Sequence, residues 1–519
     1  MTPTNSTSEQ LTPRWWPAIL ILTAACIGWF WAQRIQNADQ QVKNITSLII
    51  LGATLLALAT WLLLLSRMKW TTRGKLFGCG VVVIAILIVC LRFRGVTGDF
   101  VPVLEWRWTN PTLPTISQTN FSIPSVSVDV TPASTFPQLY GPARDGQIQE
   151  PRLARDWKKQ PPQLLWRQPI GPAWSGFAIW GPFAVTLEQR GEQELVNCYH
   201  TETGDLLWSH ADDAKFFRKI AGEGPRSVPT IADGRVYSVG ATGILNCLSL
   251  QDGISLWSRN FVNDVDGSTL SWGISCSPLV LDNKVIVSAG GKQGHSLLAY
   301  DTQTGDVVWS GGDNRSHYSS PVITELDDRK QVIIFNQQVV AHDVDDGRVL
   351  WTHNWPGGHP HVSTPVFPGG NRLIVSSGYG TGCELIEVVP SADEGWTTNT
   401  LWQSNHLKSK FANLLVDGEY VYGLDNGILV CLEIETGDRQ WKRGRYGHGQ
   451  LLMVDDLILI MAENGEIVLV DPTPKTHREL TSYQALDGKT WNPPALSGDR
   501  LIVRNDKEAA CYRLPTQTP

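Results

Sequence analysis

No C-x-x-C, no adjacent cysteine pair and no C-x-x-C-H occurs anywhere in the 519 residues. That absence removes a dithiol redox centre, a compact zinc site and a covalently attached haem. No block of Lys or Arg is long enough to track phosphates, and the formal net charge is -7, so a nucleic-acid groove is excluded as well. Cysteine itself is sparse and scattered. Cys26, Cys79 and Cys90 lie in apolar N-terminal runs, and Cys198, Cys247, Cys276, Cys383, Cys431 and Cys511 are spread through the remainder. Cys198, Cys247 and Cys431 hold one repeat position where another copy has Ala, so they read as buried thiols rather than disulfide partners.

What the chain does have is tryptophan, 22 of them, beside 47 Gly and 31 Pro. Many short strands joined by Gly-rich turns use residues in this way. Three apolar runs, at 17–32, 45–65 and 76–91, come first. The second is uncharged and about 31 Å long as a helix, enough to cross a hydrocarbon core. Trp15, Trp16, Trp29 and Trp31 flank the first run as an interfacial belt does. A cleaved signal peptide is the rival reading of that run, but two further apolar runs follow it and no small-residue cleavage site is evident. The connection 66–75 carries Arg67, Lys69, Arg73 and Lys75 without an acid, against Arg34 and Lys43 offset by Asp39 in the preceding one. The expectation is a cytoplasmic N-terminus and everything beyond about residue 92 outside, in the periplasm of a Gram-negative-type cell. Arg92 and Arg94 weigh against it.

Residues 95–160 read as a Pro/Ser/Thr-rich linker, interrupted by Pro102, Pro111, Pro114, Pro124, Pro132 and Pro137. From 161 to 519 one phrase recurs: CYHTETGDLLW at Cys198–Trp208, CLSLQDGISLW at Cys247–Trp257, AYDTQTGDVVW at Ala299–Trp309, AHDVDDGRVLW at Ala341–Trp351 and CLEIETGDRQW at Cys431–Trp441. A degraded copy ends at Trp402. Copies lie about 40–50 residues apart, the period of a four-stranded propeller blade. Asp-Gly at 233–234 and 417–418 and Asp-Asn at 282–283 supply hairpin turns. The last three strands lack an outer partner, and Gln163–Pro169, the end of a repeat without its beginning, supplies it. The expected fold is all-β, an eight-bladed propeller closed by that strand; seven blades is the alternative if one irregular unit is misread. Trp166, Trp208, Trp257, Trp309, Trp351, Trp402 and Trp441 are expected to pack between blades.

The phrase D-x-x-T-G-x-x-x-W, and the openings Ser227-Val228-Pro229, Ser277-Pro278, Ser319-Ser320-Pro321 and Ser363-Thr364-Pro365, resemble the pyrroloquinoline-quinone (PQQ) type propeller repeat. Phe136–Gly146 resembles the lead-in that precedes such propellers. The resemblance implies one of two classes: PQQ-dependent alcohol or sugar dehydrogenases, or non-catalytic scaffolds such as the BamB-type propellers of outer-membrane protein assembly. An enzyme of this kind is expected to show vicinal cysteines, a Trp platform, and Glu/Asn/Asp ligands for Ca²⁺. The cysteines are absent, and Asp343, Asp345 and Asp346 fall in a turn phrase. The balance favours a scaffold with envelope protein partners and no cofactor, with PQQ and Ca²⁺ as the alternative. A sensor ranks last, because no cytoplasmic output domain is recognisable. Residues just before the inner strands face the funnel: Arg226, Trp272, His317, Tyr318, His361, Lys410, His448 and Trp491. Such a ring suits an anion or a peptide. No metal site is expected, because the histidines lie on different blades.

Overall fold

The computed structural model describes residues 12–35, 39–109, 135–265, 267–291, 293–391 and 395–517. It forms two compact units, 1–110 and 111–519. The first holds three helices long and apolar enough to cross a membrane: α1 (Trp16–Arg34), α2 (Gln40–Thr60, continued by one wider turn Trp61–Leu65) and α3 (Trp70–Cys90). Each matches one of the expected apolar runs within a few residues. Directly after α3 comes an antiparallel hairpin, β1 (Leu91–Val96) and β2 (Pro102–Trp106).

The second unit is a ring of eight antiparallel sheets. The third blade shows the pattern: Leu279–Leu281, Lys284–Ser288, Leu297–Asp301 and Val307–Gly311, each hydrogen-bonded to the next. Its first hairpin turns at Asp282 with φ 51°, and the second blade turns at Asp233 with φ 49°, conformations that Asp tolerates better than bulkier residues. Alternating side chains bury both faces of each blade against its neighbours. The apolar clusters accordingly lie in the seams, for example Val185, Cys198 and Trp208 with Ile231 and Val236 between blades 1 and 2.

The ring closes as the repeat requires. Strand Glu508–Arg513 pairs with β5 (Gln163–Pro169), Cys511 opposite Trp166. Trp208, Trp257 and Trp441 stand opposite Cys198, Cys247 and Cys431 in the same register. All six propeller cysteines are buried and unpaired as thiols. Each repeat indole reaches into the following blade: Nε1 of Trp166 donates to Thr201 O (2.9 Å), Trp208 to Leu250 O (2.9 Å), Trp257 to Thr302 O (3.0 Å) and Trp309 to Val344 O (3.2 Å). Trp402 and Trp441 do the same with Ile434 O (2.7 Å) and Thr473 O (2.8 Å). Trp351 departs from the rule. The fifth blade lacks the T-G phrase, and this indole donates instead to Gln331 Oε1 of its own blade, 2.7 Å away.

The expectation of one linker over 95–160 needs correction. Its start belongs to the β1–β2 hairpin, and 135–160 is built into the propeller; the prolines at 111, 114, 124 and 132 lie outside the described residues. Short strand β3 (Thr135–Phe136) adds inside the innermost strand of blade 1, and β4 (Gln147–Ile148) runs parallel to the innermost strand of blade 7. Between them Pro137 O accepts from Ile231 N of blade 2 (2.8 Å), and Gln147 Nε2 donates to Val416 O of blade 6 (2.7 Å). Segment 135–148 is therefore a plug lying in the central channel. Two-residue strands carry no legible period, so proline and serine content misrepresented a packed segment as an open one.

Candidate functional site

Serine at the openings of the inner strands builds the wall of the funnel. Ser277 Oγ accepts from Val228 N at 2.8 Å, and Ser320 Oγ accepts from Ser277 N at 2.9 Å. Each hydroxyl satisfies the blade before it, where a proline two or three residues into the opening withholds its own N–H. Leu139 and Tyr140 of the plug pack on Val228 and make the floor. Arg144 anchors that floor: its guanidinium, 4 % exposed, donates to Ser277 O (3.0 Å) and Pro278 O (2.8 Å) of blade 3. Burial pulls it down to about 10, with Cys276 and Tyr140 opposing, so it stays charged at neutral pH.

Above the floor lies a blind cavity of about 160 Å³, room for a side chain or one aromatic ring. Its walls are aromatic. Trp174 and Trp491 meet at 4.8 Å between ring centres, and Phe411 stands 5.1 Å from Trp491. Lys489 places its ammonium 4.4 Å over Trp174 and 4.1 Å over Trp491, a favourable cation–π arrangement. The polar lining consists of Arg226, Ser275, Ser277, Ser320, Thr364 and Gln450, together with the Tyr hydroxyls.

Of the eight residues expected at the mouth, the structure brings Arg226, Trp272, Tyr318 and Trp491 together on this cavity. Arg226 is held by its own loop, donating to Ala221 O at 2.7 Å and lying 4.5 Å over Phe216. Burial lowers it to about 9, against the nearby Glu194 carboxylate and Tyr318. The other four do not line the cavity. His361 donates from Nδ1 to Asn336 O (2.6 Å) and stacks on Phe335 at 4.4 Å. Burial pushes it down to about 4, and it lowers His317 too. His317 Nδ1 accepts from His361 N at 3.2 Å. His448 is 1 % exposed beside Phe411, and Lys410, 2 % exposed, sits 4.9 Å over the Tyr379 ring. Arg226 and three aromatic residues of the expected ring thus stand on the cavity, and the three histidines and Lys410 are not part of its lining. Both blade-4 and blade-5 imidazoles spend Nδ1 on backbone.

Sequence reasoning passed over Trp174, Phe411, Tyr379 and Lys489, and the plug residues Leu139 and Tyr140. Trp174 was findable, because Trp174-Ser-Gly, Trp272-Gly-Ile and Trp491-Asn-Pro all stand just before an inner strand. Phe411 was findable in the same way, since it stands four residues before the inner strand of blade 6 as Trp491 does before that of blade 8.

The family described as outer membrane protein assembly factor BamB matches residues 163–269 and 192–443, together more than half of the chain. This chain belongs to that family. BamB of Shewanella oneidensis is 22 % identical over 336 residues, 61 % of this chain and 80 % of that one. BamB of Moranella endobia is 20 % identical over 292 residues, 53 % of this chain and 71 % of that one. Among solved structures, the quinohemoprotein alcohol dehydrogenase of Comamonas testosteroni superposes with a TM-score of 0.53 at 12 % identity, covering 76 % of this chain and 83 % of that one. The dehydrogenase likeness is one of fold. BamB-family membership rests on the repeats themselves, from β5 to the sixth blade.

A Ca²⁺-bound quinone does not fit this funnel. A hard cation of that size takes six to eight oxygens, several of them carboxylate, and no Asp or Glu lines the cavity. The carboxylate near its rim, Glu463, accepts instead from Trp491 Nε1 (2.8 Å) and His448 N (3.0 Å).

Proposed function

We propose that this chain is a non-catalytic, membrane-anchored BamB-like propeller that acts as a protein-interaction scaffold in the cell envelope. Its three apolar helices anchor it in the cytoplasmic membrane, with the N-terminus cytoplasmic and the propeller in the periplasm. The observation that carries the non-catalytic reading is the lining of the funnel: hydroxyls, one amide, the Arg226 guanidinium and aromatic rings, with no carboxylate, over a floor supplied by the chain itself. Family membership and relatives named as assembly factors support the scaffold role. The four basic residues between α2 and α3 support the orientation. Arg92 and Arg94, which weighed against it, both face Glu105, at 3.7 and 3.4 Å, so their charge is partly offset.

The test is crosslinking of the full chain in intact envelopes, with partners identified by mass. Recovery of outer-membrane assembly proteins supports the reading. The purified chain mixed with PQQ and Ca²⁺ tests the alternative: a bound quinone chromophore with dye reduction by alcohols or sugars would overturn the scaffold assignment.

A further inference from the structure

The β1–β2 hairpin has two unlike faces. Register places Leu91 opposite Trp106 and Phe93 opposite Leu104, so these four share one face. Arg92 stands opposite Glu105 on the other, and a bulge at Arg94 turns that guanidinium to the same carboxylate. The apolar face is the bare one: Phe93 is 46 % exposed, Leu104 54 % and Trp106 58 %. Trp108, 67 % exposed, stacks against Trp106 at 6.4 Å. A lone two-stranded sheet with its apolar side bare is marginal at best in water.

The hairpin is also held at a fixed height. Arg107 N donates to Cys90 O (2.8 Å) and its guanidinium to Ile88 O (3.1 Å), capping the last carbonyls of α3. Asn44, in the first turns of α2, donates to Asp99 O in the hairpin loop at 2.8 Å. The hairpin therefore sits at the end of the helix bundle where α3 finishes and α2 begins.

We infer that this hairpin is an interfacial anchor, laid with Leu91, Phe93, Leu104 and Trp106 in the lipid surface. Continuity with α3 decides the occupant. A helix that spans the bilayer delivers β1 to the headgroup layer, the depth Trp prefers, and the apolar face enters it by about 5–10 Å. The charged face, with Arg92 and Arg94 on Glu105, stays in water. The inference rests on the membrane-spanning reading of α1–α3.

The experiment uses the full chain, with Cys26, Cys79 and Cys90 replaced by Ala, in phosphatidylcholine–phosphatidylglycerol vesicles. One accessible cysteine at a time, at Phe93→Cys, Leu104→Cys, Val103→Cys or Ile84→Cys, carries an environment-sensitive fluorophore, the six propeller thiols being buried. Lipids spin-labelled near the headgroup or deep in the acyl chain act as quenchers. Labels at 93 and 104 are expected to be quenched by the shallow spin label, the label at 103 to be spared, and the label at 84, in mid-α3, to be quenched by the deep one. Equal quenching at 93, 104 and 103 with normal quenching at 84 would overturn the anchor alone. Loss of deep quenching at 84 would overturn the spanning reading and the anchor with it. If Leu104→Cys fails to insert, Phe93→Cys reports on the same face.

Discussion

The indole of Trp166, on the strand that closes the ring, packs against Gly204 of the first blade. A Cβ at Gly204 would come within 2.8 Å of the ring, and the residue has φ +75°. The same relation joins Trp208 to Gly253, Trp257 to Gly305, Trp309 to Gly347 and Trp402 to Gly437. The Gly of one blade's T-G or D-G turn is thus the seat for the Trp of the blade before. Motif letters from two blades encode a single contact.

Gly204→Ala should destabilise the propeller by about 2–4 kcal/mol, from left-handed backbone strain and the displaced indole together. Gly191→Ala is the matched control. Its φ is +60° with nothing within 4 Å, so only the strain, about 1–2 kcal/mol, remains. Denaturant midpoints of the two variants separate packing from backbone.

A buried charge network holds the same seam from the other side. Arg504, 1 % exposed, donates to Gly171 O (2.7 Å), Leu187 O (2.7 Å) and Thr186 Oγ1 (2.8 Å). Glu188 is buried beside it, paired with Arg190 at 3.0 Å and accepting from Tyr199 OH at 2.6 Å. Arg504→Met should cost about 3–5 kcal/mol, because it strands the acceptors and leaves Glu188 with one cation fewer. Arg504→Lys should recover little, since an ammonium cannot fork across three acceptors. Chemical unfolding of the two variants checks both statements.

Glu194 makes stability depend on pH in the acid-to-neutral range. Burial raises its carboxyl from 4.5 to about 7, with Asp212 adding to the rise and the Ala241 N–H and Arg226 opposing it. A raised carboxyl binds its proton more tightly when folded. Its contribution is full below about pH 4.5 and is lost as pH rises through about 7. Glu194→Gln should therefore melt higher than wild type near pH 8, by roughly 1–3 kcal/mol, and match it near pH 4.5. Thermal melts across that range read the difference directly; parallel curves would refute the assignment.

The plug should come loose when its anchor is cut. Arg144→Met removes the guanidinium from the Ser277 and Pro278 carbonyls, leaving Pro278 O with Thr230 Oγ1 at 2.6 Å, a loss of about 1–3 kcal/mol. Limited proteolysis is the sensitive readout: cleavage within 135–160 should accelerate well before the blades unfold.

Topology is checked by fusing a periplasm-active reporter after about residue 110. Activity is expected, and an inactive fusion with an active cytoplasmic counterpart would reverse the orientation.

Much of this architecture was legible before any coordinates. Asp282-Asn283 and Asp233-Gly234 announce hairpins because turn chemistry is local, and Gln163–Pro169 declared itself a displaced outer strand because it carried half a repeat. The funnel was legible only in part. Arg226, Trp272, Tyr318 and Trp491 follow from their place before inner strands, yet His361 and His448 share that place and point elsewhere. His361 stacks on Phe335 and His448 lies beside Phe411, contacts made only in the folded ring.

The amino-acid order by itself determined the propeller repeat, the strand that closes the ring and the three apolar helices, since periodicity, turn residues and apolar length act over a few neighbours; the structure decided between seven blades and eight. Only the tertiary structure decided that 135–148 fills the channel and that Trp174 meets Trp491. Those contacts join residues far apart in the chain, such as Arg144 and Pro278, and exist only once the ring has brought distant blades to one axis.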